Sequence, residues 1–406
     1  MKQNAKNALL AFQHVFAMFG ATVLVPFLTG LDPSVALLSA GLGTLLFHWL
    51  TGGVVPVFLG SSFAFIGGTA WVLQTEGIGS LKTGIMAAGL VYVAVAWLVK
   101  KLGTAWVDKV FPPMVVAPMI LLIGLRLAPV AIGMIQNTQD ASSQSAQILV
   151  AIVVVLSILL VSVLGGSFFR LFPILIGMFV GYTTAYFLGL IDLTGIANAD
   201  WFGFSTETWQ NIITPPTWSL RSISLLAPIS LVVFVEHLGD IKTNSEVVGK
   251  DFVKTPGLHR TLLGDGLATL LAGFLGAPAN TTYGENTGVL AVTKNYNPAI
   301  LRLAAIFAIF LSMLGKFSAL LQSIPSCVMG GVSLVLFGMI ASIGLRIFQQ
   351  AQIDFSHSRN LLIVSLIFTL GLGIDQIAIS PTVQVSGLTL SVLVGIFLNL
   401  VLPKKL

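Results

Sequence analysis

Four acidic residues interrupt long apolar runs in the second half of the chain: Glu236, Asp240, Asp265 and Glu285. A charged side chain at the centre of a membrane span costs roughly 2.5–3.5 kcal/mol on insertion scales, so acids in such runs are expected to serve a function. Glu236 and Asp240 are four residues apart and share one face of a helix. Because two carboxylates this close in a poorly hydrated site resist ionising together, the pair suits proton coupling.

Asp240 has a second interpretation, because Lys242 follows two residues later. The two would then form a solvated pair at the cytoplasmic end of the helix. His237 points to a different face from Glu236 and is expected to have a structural role. A lone histidine such as His14, in the first apolar run, more often bonds a neighbouring helix than it carries protons, and both roles stay open.

The elements that hold these residues are apolar. Charged residues make up 9% of the 406 positions, against about 25% in soluble domains, and hydrophobic residues make up 56%. The mean hydropathy is +0.96. A soluble chain of this length could not bury so much apolar surface, so the composition excludes a soluble enzyme, a nucleic-acid-binding protein and a disordered scaffold. The protein is expected to lie in a lipid bilayer.

Apolar runs of about 17–25 residues, the length of a membrane-crossing helix, recur along the chain. They predict an all-α polytopic membrane protein with about 14 transmembrane segments in two sets of seven, separated by the polar stretch 192–221. The segments are 8–28, 34–51, 55–74, 82–99, 111–134, 146–165, 171–191, 222–240, 258–275, 280–293, 298–316, 324–345, 360–374 and 383–402.

The basic residues indicate the orientation. All Lys and Arg residues except Lys82, Arg126, Arg221 and Lys316 fall on the side of the two termini. By the positive-inside rule, both termini are therefore expected in the cytoplasm, in a multi-pass protein of the cytoplasmic (inner) membrane.

The two sets of segments show weak internal similarity. The fifth opens with Phe-Pro-Pro at 111–113 and the twelfth with Ile-Pro at 324–325, while Gln-His at 13–14 matches Glu-His at 236–237. An odd number of segments per repeat gives the halves opposite orientations, so the sequence predicts a 7+7 inverted repeat.

The third and tenth segments are broken at matching positions. Pro56 and Gly60 interrupt the third, and Pro278 and Gly284 interrupt the tenth, next to Glu285. Irregular backbone at membrane depth needs protein partners or a water-filled cavity, so the two breaks predict a binding site near the membrane midplane. The alternative is that the tenth region is an extracellular loop.

The runs 13–26 and 285–294 resemble the first helix and the signature of the nucleobase–ascorbate transporters, and among these the bacterial members that transport uracil. The segments 59–65, 256–260 and 328–333 also resemble the family, so the resemblance covers nearly the whole chain. The motif residues in the first helix and the signature are Gln13, His14, Asn286, Gly288 and Thr293.

The resemblance implies a proton-coupled symporter that imports a nucleobase, expected to be uracil, by alternating access of a core domain against a gate domain. The core would comprise 1–110 (segments 1–4) and 222–323 (segments 8–11), and the gate 111–221 (segments 5–7) and 324–406 (segments 12–14). Short strands in segments 3 and 10 would pair at the substrate site. A homodimer through the gate domain is implied as well.

By position, the resemblance makes Glu236 and Glu285 substrate-binding carboxylates, while Phe63 and Gly284 offer backbone groups and the Phe63 ring lies against the base. Uracil has two N–H donors and two carbonyl acceptors, which carboxylates and free backbone N–H groups complement. The candidates for proton coupling are Asp240, Glu236, Asp265 and His14.

Three positions depart from the uracil-type members. Those proteins tend to carry His where this chain has Asp240 and Asn where it has Asp265, and they can have Tyr in place of Phe337. Both acids are more typical of the purine branch, so a xanthine or purine permease is the alternative. An anion exchanger of the same fold is disfavoured by two glutamates at the site. Zinc-protease and phosphate-loop patterns are absent from the sequence, so no enzyme activity, cofactor or metal is predicted.

Overall fold

Helices make up most of the computed structural model, which describes residues 2–136, 141–166 and 168–403. Lys404 and Lys405, which are expected on the cytoplasmic side, lie outside the described residues. The helices are α1 (Lys2–Thr29), α2 (Pro33–Leu50), α3 (Ile66–Leu102), α4 (Ala105–Val110), α5 (Pro113–Ile135), α6 (Ala141–Leu164), α7 (Pro173–Phe187), α8 (Thr194–Asn198), α9 (Thr206–Ile213), α10 (Leu220–Leu226), α11 (Ile229–Val248), α12 (Leu258–Leu275), α13 (Gly284–Thr293), α14 (Pro298–Ser312), α15 (Gly315–Gln322), α16 (Ser326–Ala351), α17 (Ser358–Gly373) and α18 (Gly387–Val401). The strands are β1 (Leu59–Ser61), β2 (Asn280–Thr282), β3 (Gln376–Ser380) and β4 (Val383–Ser386), and short helical turns lie at Phe63–Phe65, Phe169–Leu171 and Val253–Gly257.

The predicted segments correspond to these elements. Within the described ranges, seven helical stretches are long and apolar enough to cross a membrane, or eight if α14 and α15, which meet at 83°, form one span. Shorter apolar helices are α7, α17 and α18. Gly77, with φ 79° and ψ 177°, divides α3 into predicted segments 3 and 4. Each of the fourteen predicted segments thus matches a helix or part of one, a pair of helices, or a short strand followed by a helix or part of one.

Contacts between the predicted segments repeat with a period of seven. In the following pairs, segments whose numbers differ by seven make equivalent contacts. The second half of α3 packs against α12 as α14 packs against α2, and α6 pairs with α7 as α17 pairs with α18. Likewise, α16 packs against α6 as α5 packs against α17. This exchange of equivalent contacts is the pattern that an inverted repeat produces.

Two groups of helices pack mainly among themselves. The first group contains α1–α3 and α10–α14, and the second contains α5–α7 and α16–α18. Close approach is required inside the first group, where a methyl group on Gly89 of α3 would lie 2.7 Å from the carbonyl oxygen of Gly266 on α12. Contacts between the groups include α11 with α18 and α10 with β4.

The broken third and tenth segments meet through β1 and β2, which pair as antiparallel strands with Gly60 opposite Thr281. The ladder extends beyond the strands, because Ser62 N donates to Ala279 O over 2.8 Å. Both strands are fully buried. The predicted short strands are therefore confirmed, and the alternative of an extracellular loop in the tenth region is wrong for the buried β2.

Gly60 lies where side chains from two other elements converge. A methyl group there would meet the ring of Tyr283 and would lie 2.8 Å from Thr22 Oγ1. The Tyr283 hydroxyl donates to Ser61 O over 2.9 Å, which fixes the ring beneath the strand. A residue without a side chain is therefore needed at the centre of the sheet.

The hairpin β3–β4 was not predicted. The fourteenth segment was expected to begin at 383, but 383–386 is strand β4 and the helix begins only at Gly387. Arg126 of α5 holds the base of the hairpin, with Nη1 donating to Gly371 O over 2.7 Å and Nη2 lying 2.9 Å from the Asp375 carboxylate. These bonds attach the hairpin to the second helix group.

The four cations predicted on the outer side lie at one end of the helix bundle. Lys82 and Lys316 donate to backbone carbonyl groups of the linker 194–214. Arg221 donates to the carbonyl of the hairpin turn, and Arg126 binds the hairpin base. This clustering is what the predicted orientation requires of these four residues.

Candidate functional site

All four predicted acids gather beside the β1–β2 pair. Glu236 and Asp240 lie on α11, Asp265 on α12 and Glu285 in the first turn of α13, directly after β2. Asp240 is close enough to interact electrostatically with the other three acids. Asp265 is fully buried, while the other three are partly buried. Phe63, the predicted aromatic residue of the site, lies in the helical turn that follows β1.

Two carboxylates and a helix N-terminus face one another at this place. Glu236 and Glu285 interact electrostatically, and Glu236 Oε2 is buried without a hydrogen-bond partner among the described residues. Gly284 begins α13, and the first N–H groups of a helix have no partner within it. The site can therefore accept hydrogen bonds through carboxylates and donate them through free backbone N–H groups, as a flat amide-like ring requires.

Phe63 lies where the two helix groups meet. Its residue is 6% exposed, and its ring meets that of Phe337 on α16 edge to face, with centroids 5.9 Å apart. Phe337 belongs to the second group and Phe63 to the first. A molecule held beside Phe63 would thus lie at the boundary between the groups.

Asp240 is directed toward β2. Its Oδ2 accepts a hydrogen bond from Thr282 Oγ1 over 2.9 Å. Lys242, the partner in the alternative interpretation, lies instead 3.6 Å from Asp108 of α4. The solvated Asp240–Lys242 pair is therefore wrong, and Asp240 belongs to the cluster of acids.

His237 binds the buried acid Asp265. Its Nδ1 lies 2.9 Å from Asp265 Oδ2 and its Nε2 lies 3.0 Å from Thr261 Oγ1, and both side chains of the His–Asp pair are 0% exposed. This chain of contacts fixes α11 against α12 one residue away from Glu236. The geometry agrees with the structural role expected for His237.

His14 and Asn286 connect the first and tenth segments. Asn286 Nδ2 donates to His14 O over 3.0 Å and lies 3.2 Å from His14 Nδ1. Gln13 beside them is buried. Of the remaining motif residues, Gly288 is exposed, and Thr293 Oγ1 donates to a carbonyl of its own helix. A proton-coupling role for His14 stays a prediction.

Asn244 was missed by the sequence reasoning. It is fully buried, and its Nδ2 donates to Pro56 O and Thr287 Oγ1, each over 3.1 Å. One side chain of α11 thus holds both broken segments. The signal was available, because Asn244 follows Asp240 by four residues and continues the face that carries Glu236.

A cavity of about 800 Å³ lies elsewhere, at the end of the bundle that holds the linker 194–214. Its lining includes Ser34, Asp192, Thr206 and Ser323, which come from α2 and from loops and short helices. It is separate from the cluster of acids.

Curated proteins similar to this chain are named as transporters. The sequence profile of a protein family described as the Permease family matches residues 5–379. The uracil permease of Bacillus caldolyticus is 46% identical over 403 residues, covering 98% of this chain and 92% of the relative. The uracil permease of Escherichia coli (strain K12) is 40% identical over 394 residues, covering 97% and 90%.

Solved structures share the fold at low sequence identity. The transmembrane domain of the cyanobacterium bicarbonate transporter BicA is similar with a TM-score of 0.63 and 15% identity, covering 98% of each chain. The murine anion transporter Slc26a9, in an inward-facing state, has a TM-score of 0.68 and 10% identity, covering 97% of this chain and 67% of the other. These similarities support the helical transporter fold predicted from the sequence.

Proposed function

The chain belongs to the Permease family, and we propose that it imports uracil together with protons. Family membership makes it a multi-pass membrane transporter rather than an enzyme. The observation that carries the proposal is the pair Glu236 and Glu285 beside the strands β1 and β2, in a chain whose relatives are named uracil permeases.

The chemistry of the site suits a neutral base. The carboxylates of Glu236 and Glu285 would accept hydrogen bonds from the ring N–H groups, and the backbone at Phe63 and Gly284 would donate to the ring carbonyls. The Phe63 ring would lie against the face of the base. Because the buried polar groups need these bonds, analogues that lack them should be rejected strongly.

Transport would follow from motion of a core domain (1–110 and 222–323) against a gate domain (111–221 and 324–406). The packing of the helices into two groups supports this division. The position of Phe63 at the boundary, in contact with Phe337, supports a substrate site that alternates between the two sides.

Coupling to protons would use Glu236 or Asp240, which lie one helical turn apart among two further acids. Protonation of one acid lowers the repulsion within such a cluster, so a proton and a neutral base can be carried together. Asp265 and His14 are further candidates, each already bonded to a neighbouring side chain.

The orientation and assembly are further parts of the proposal. Both termini would be cytoplasmic in the inner membrane, as the basic residues indicate. A homodimer would form through the gate domain. Xanthine is the second candidate substrate, because Asp240 and Asp265 are more typical of purine carriers.

The test is uptake of radiolabelled uracil into proteoliposomes that contain the purified protein, with excess unlabelled uracil or xanthine as competitor. We expect uptake that uracil abolishes and xanthine leaves unchanged. Absence of uracil uptake by folded protein would overturn the proposal, and uptake of radiolabelled xanthine by that same protein would favour the purine alternative.

A further inference from the structure

Thr282, the last residue of β2, contacts the acid Asp240 directly. Its Oγ1 donates to Asp240 Oδ2 over 2.9 Å, and only 2% of the residue is exposed. The other carboxylate oxygen, Oδ1, lies beside the first residue of α13, because a methyl group on Gly284 would be 3.4 Å from it. Asp240 thus rests against both the end of β2 and the start of α13.

The same short stretch carries the groups proposed to hold the base. Gly284 and Glu285 follow Thr282 by two and three residues, and Leu59 of β1 lies opposite Thr282 in the sheet. A shift of Thr282 relative to Asp240 would therefore move the backbone at Gly284 and the carboxylate of Glu285 along with it.

A threonine hydroxyl suits both protonation states of the acid. The hydroxyl can donate or accept, an ionised carboxylate can only accept, and a protonated carboxyl can also donate. The Thr282–Asp240 bond can therefore persist while its direction reverses. The titratable groups that face Asp240 from the packed elements are Glu236, Asp265 and Glu285, which are all acids.

We propose that Thr282 is a positioning residue that couples protonation of Asp240 to the backbone at which the base binds. The inference rests on the proposed function. It identifies Asp240, rather than Glu236, as the acid whose protonation changes the substrate site. Thr282 would keep β2 and the start of α13 in register with Asp240 during each transport cycle.

Three substitutions test this role. Thr282→Val keeps the shape but removes the hydroxyl, and Thr282→Ser keeps the hydroxyl. Thr281→Val is the matched control, because Thr281 is the neighbouring strand residue, is 1% exposed, and has an Oγ1 with no partner in the described part of the chain. Each variant is reconstituted and assayed for uracil accumulation driven by a proton gradient, and for uracil exchange without a gradient.

We expect Thr282→Val to lower gradient-driven accumulation about tenfold while exchange changes much less, the size of effect that loss of one hydrogen bond to a charged group produces. Thr282→Ser should restore accumulation, and Thr281→Val should resemble the unmodified protein. Equal losses of accumulation and exchange in Thr282→Val, or the same loss in Thr281→Val, would show a purely structural role and overturn the inference.

Two further outcomes are separable from these. If the unmodified protein takes up no uracil, the proposed function fails rather than the role of Thr282. If Thr282→Val does not fold, Thr282→Ala is measured in the same two assays, and unchanged accumulation in that variant would overturn the inference.

Discussion

The ring of Phe63 meets the ring of Phe337 edge to face, with centroids 5.9 Å apart and an interplanar angle of 85°. Phe63 follows β1 in the first helix group, and Phe337 lies on α16 in the second group. This contact joins the two groups beside the cluster of acids. If the two groups move relative to each other as proposed, binding of the base is expected to depend on this contact.

Replacing Phe337 by alanine is therefore expected to weaken binding of the base. The loss of an edge-to-face pair, worth about 0.5–1.5 kcal/mol, together with the space left beside Phe63, should raise the KM for uracil about tenfold. Met339→Ala on the same helix, where the residue is 50% exposed, serves as the control. An unchanged KM in Phe337→Ala would show that Phe337 does not contribute to binding of the base.

Glu236→Gln and Glu285→Gln are expected to lower uracil affinity about 10–100-fold each, because each removes a charge-assisted hydrogen bond worth about 1.5–3 kcal/mol. Affinity can be measured as the thermal stabilisation of purified protein by uracil. Glu246→Gln is the control, since Glu246 lies on α11 as well but is exposed. If uracil stabilises both site variants as much as the unmodified protein, the two carboxylates do not bind uracil.

The acids could be predicted from the sequence because their spacing is helical. Glu236 and Asp240 repeat at four residues, and Asn244 extends that spacing to a third position on the same face. Their convergence with Glu285 followed from the prediction that the two broken segments form one binding site. The hydrogen bond that Thr282 donates to Asp240 could not be predicted, because it depends on the register of strands that are only three residues long.

The hairpin β3–β4 escaped prediction for a different reason. Its residues alternate as Gln-Ile-Ala-Ile-Ser at 376–380, a strand-like pattern, but they stand between two apolar runs that read as transmembrane helices. The bonds of Arg126 to the hairpin base come from α5, which is distant in the sequence. A long-range anchor of this kind leaves no local signal.

A cross-link between the hairpin and α10 is expected to stop transport, because it joins the proposed gate to the proposed core. Gln384 N donates to Ser224 Oγ over 3.0 Å, so cysteines at 224 and 384 are close enough to bond after a small adjustment. Uracil uptake should fall to background on oxidation and return with a reductant.

Cysteines at 376 and 386 form the matched control, since Gln376 and Ser386 lie opposite each other within the hairpin. That bond stays within the gate and should leave uptake intact. Full transport by the 224–384 pair, with the bond shown to be complete, would contradict motion between α10 and the hairpin.

Lys82 is expected to hold the outer linker. It is 1% exposed, and its Nζ donates to Ile212 O and Thr214 O, each over 2.8 Å. Lys82→Met keeps the apolar stem but leaves both carbonyls without the ammonium, which should lower the free energy of unfolding by about 2–3 kcal/mol.

The measurements for this variant are thermal unfolding and limited proteolysis of the linker, which should be cut faster. Lys100→Met, on the same helix but exposed, should behave as the unmodified protein does. Equal stability of the two variants would show that the bonds of Lys82 add nothing to the fold.

The most direct test of proton-coupled uracil transport is uracil accumulation in proteoliposomes that carry an inward proton gradient, measured with and without a protonophore. With proton coupling, uracil should rise above its external concentration, and the protonophore should abolish this excess. Uptake that only reaches equilibrium despite an intact gradient would contradict proton coupling through Glu236 or Asp240.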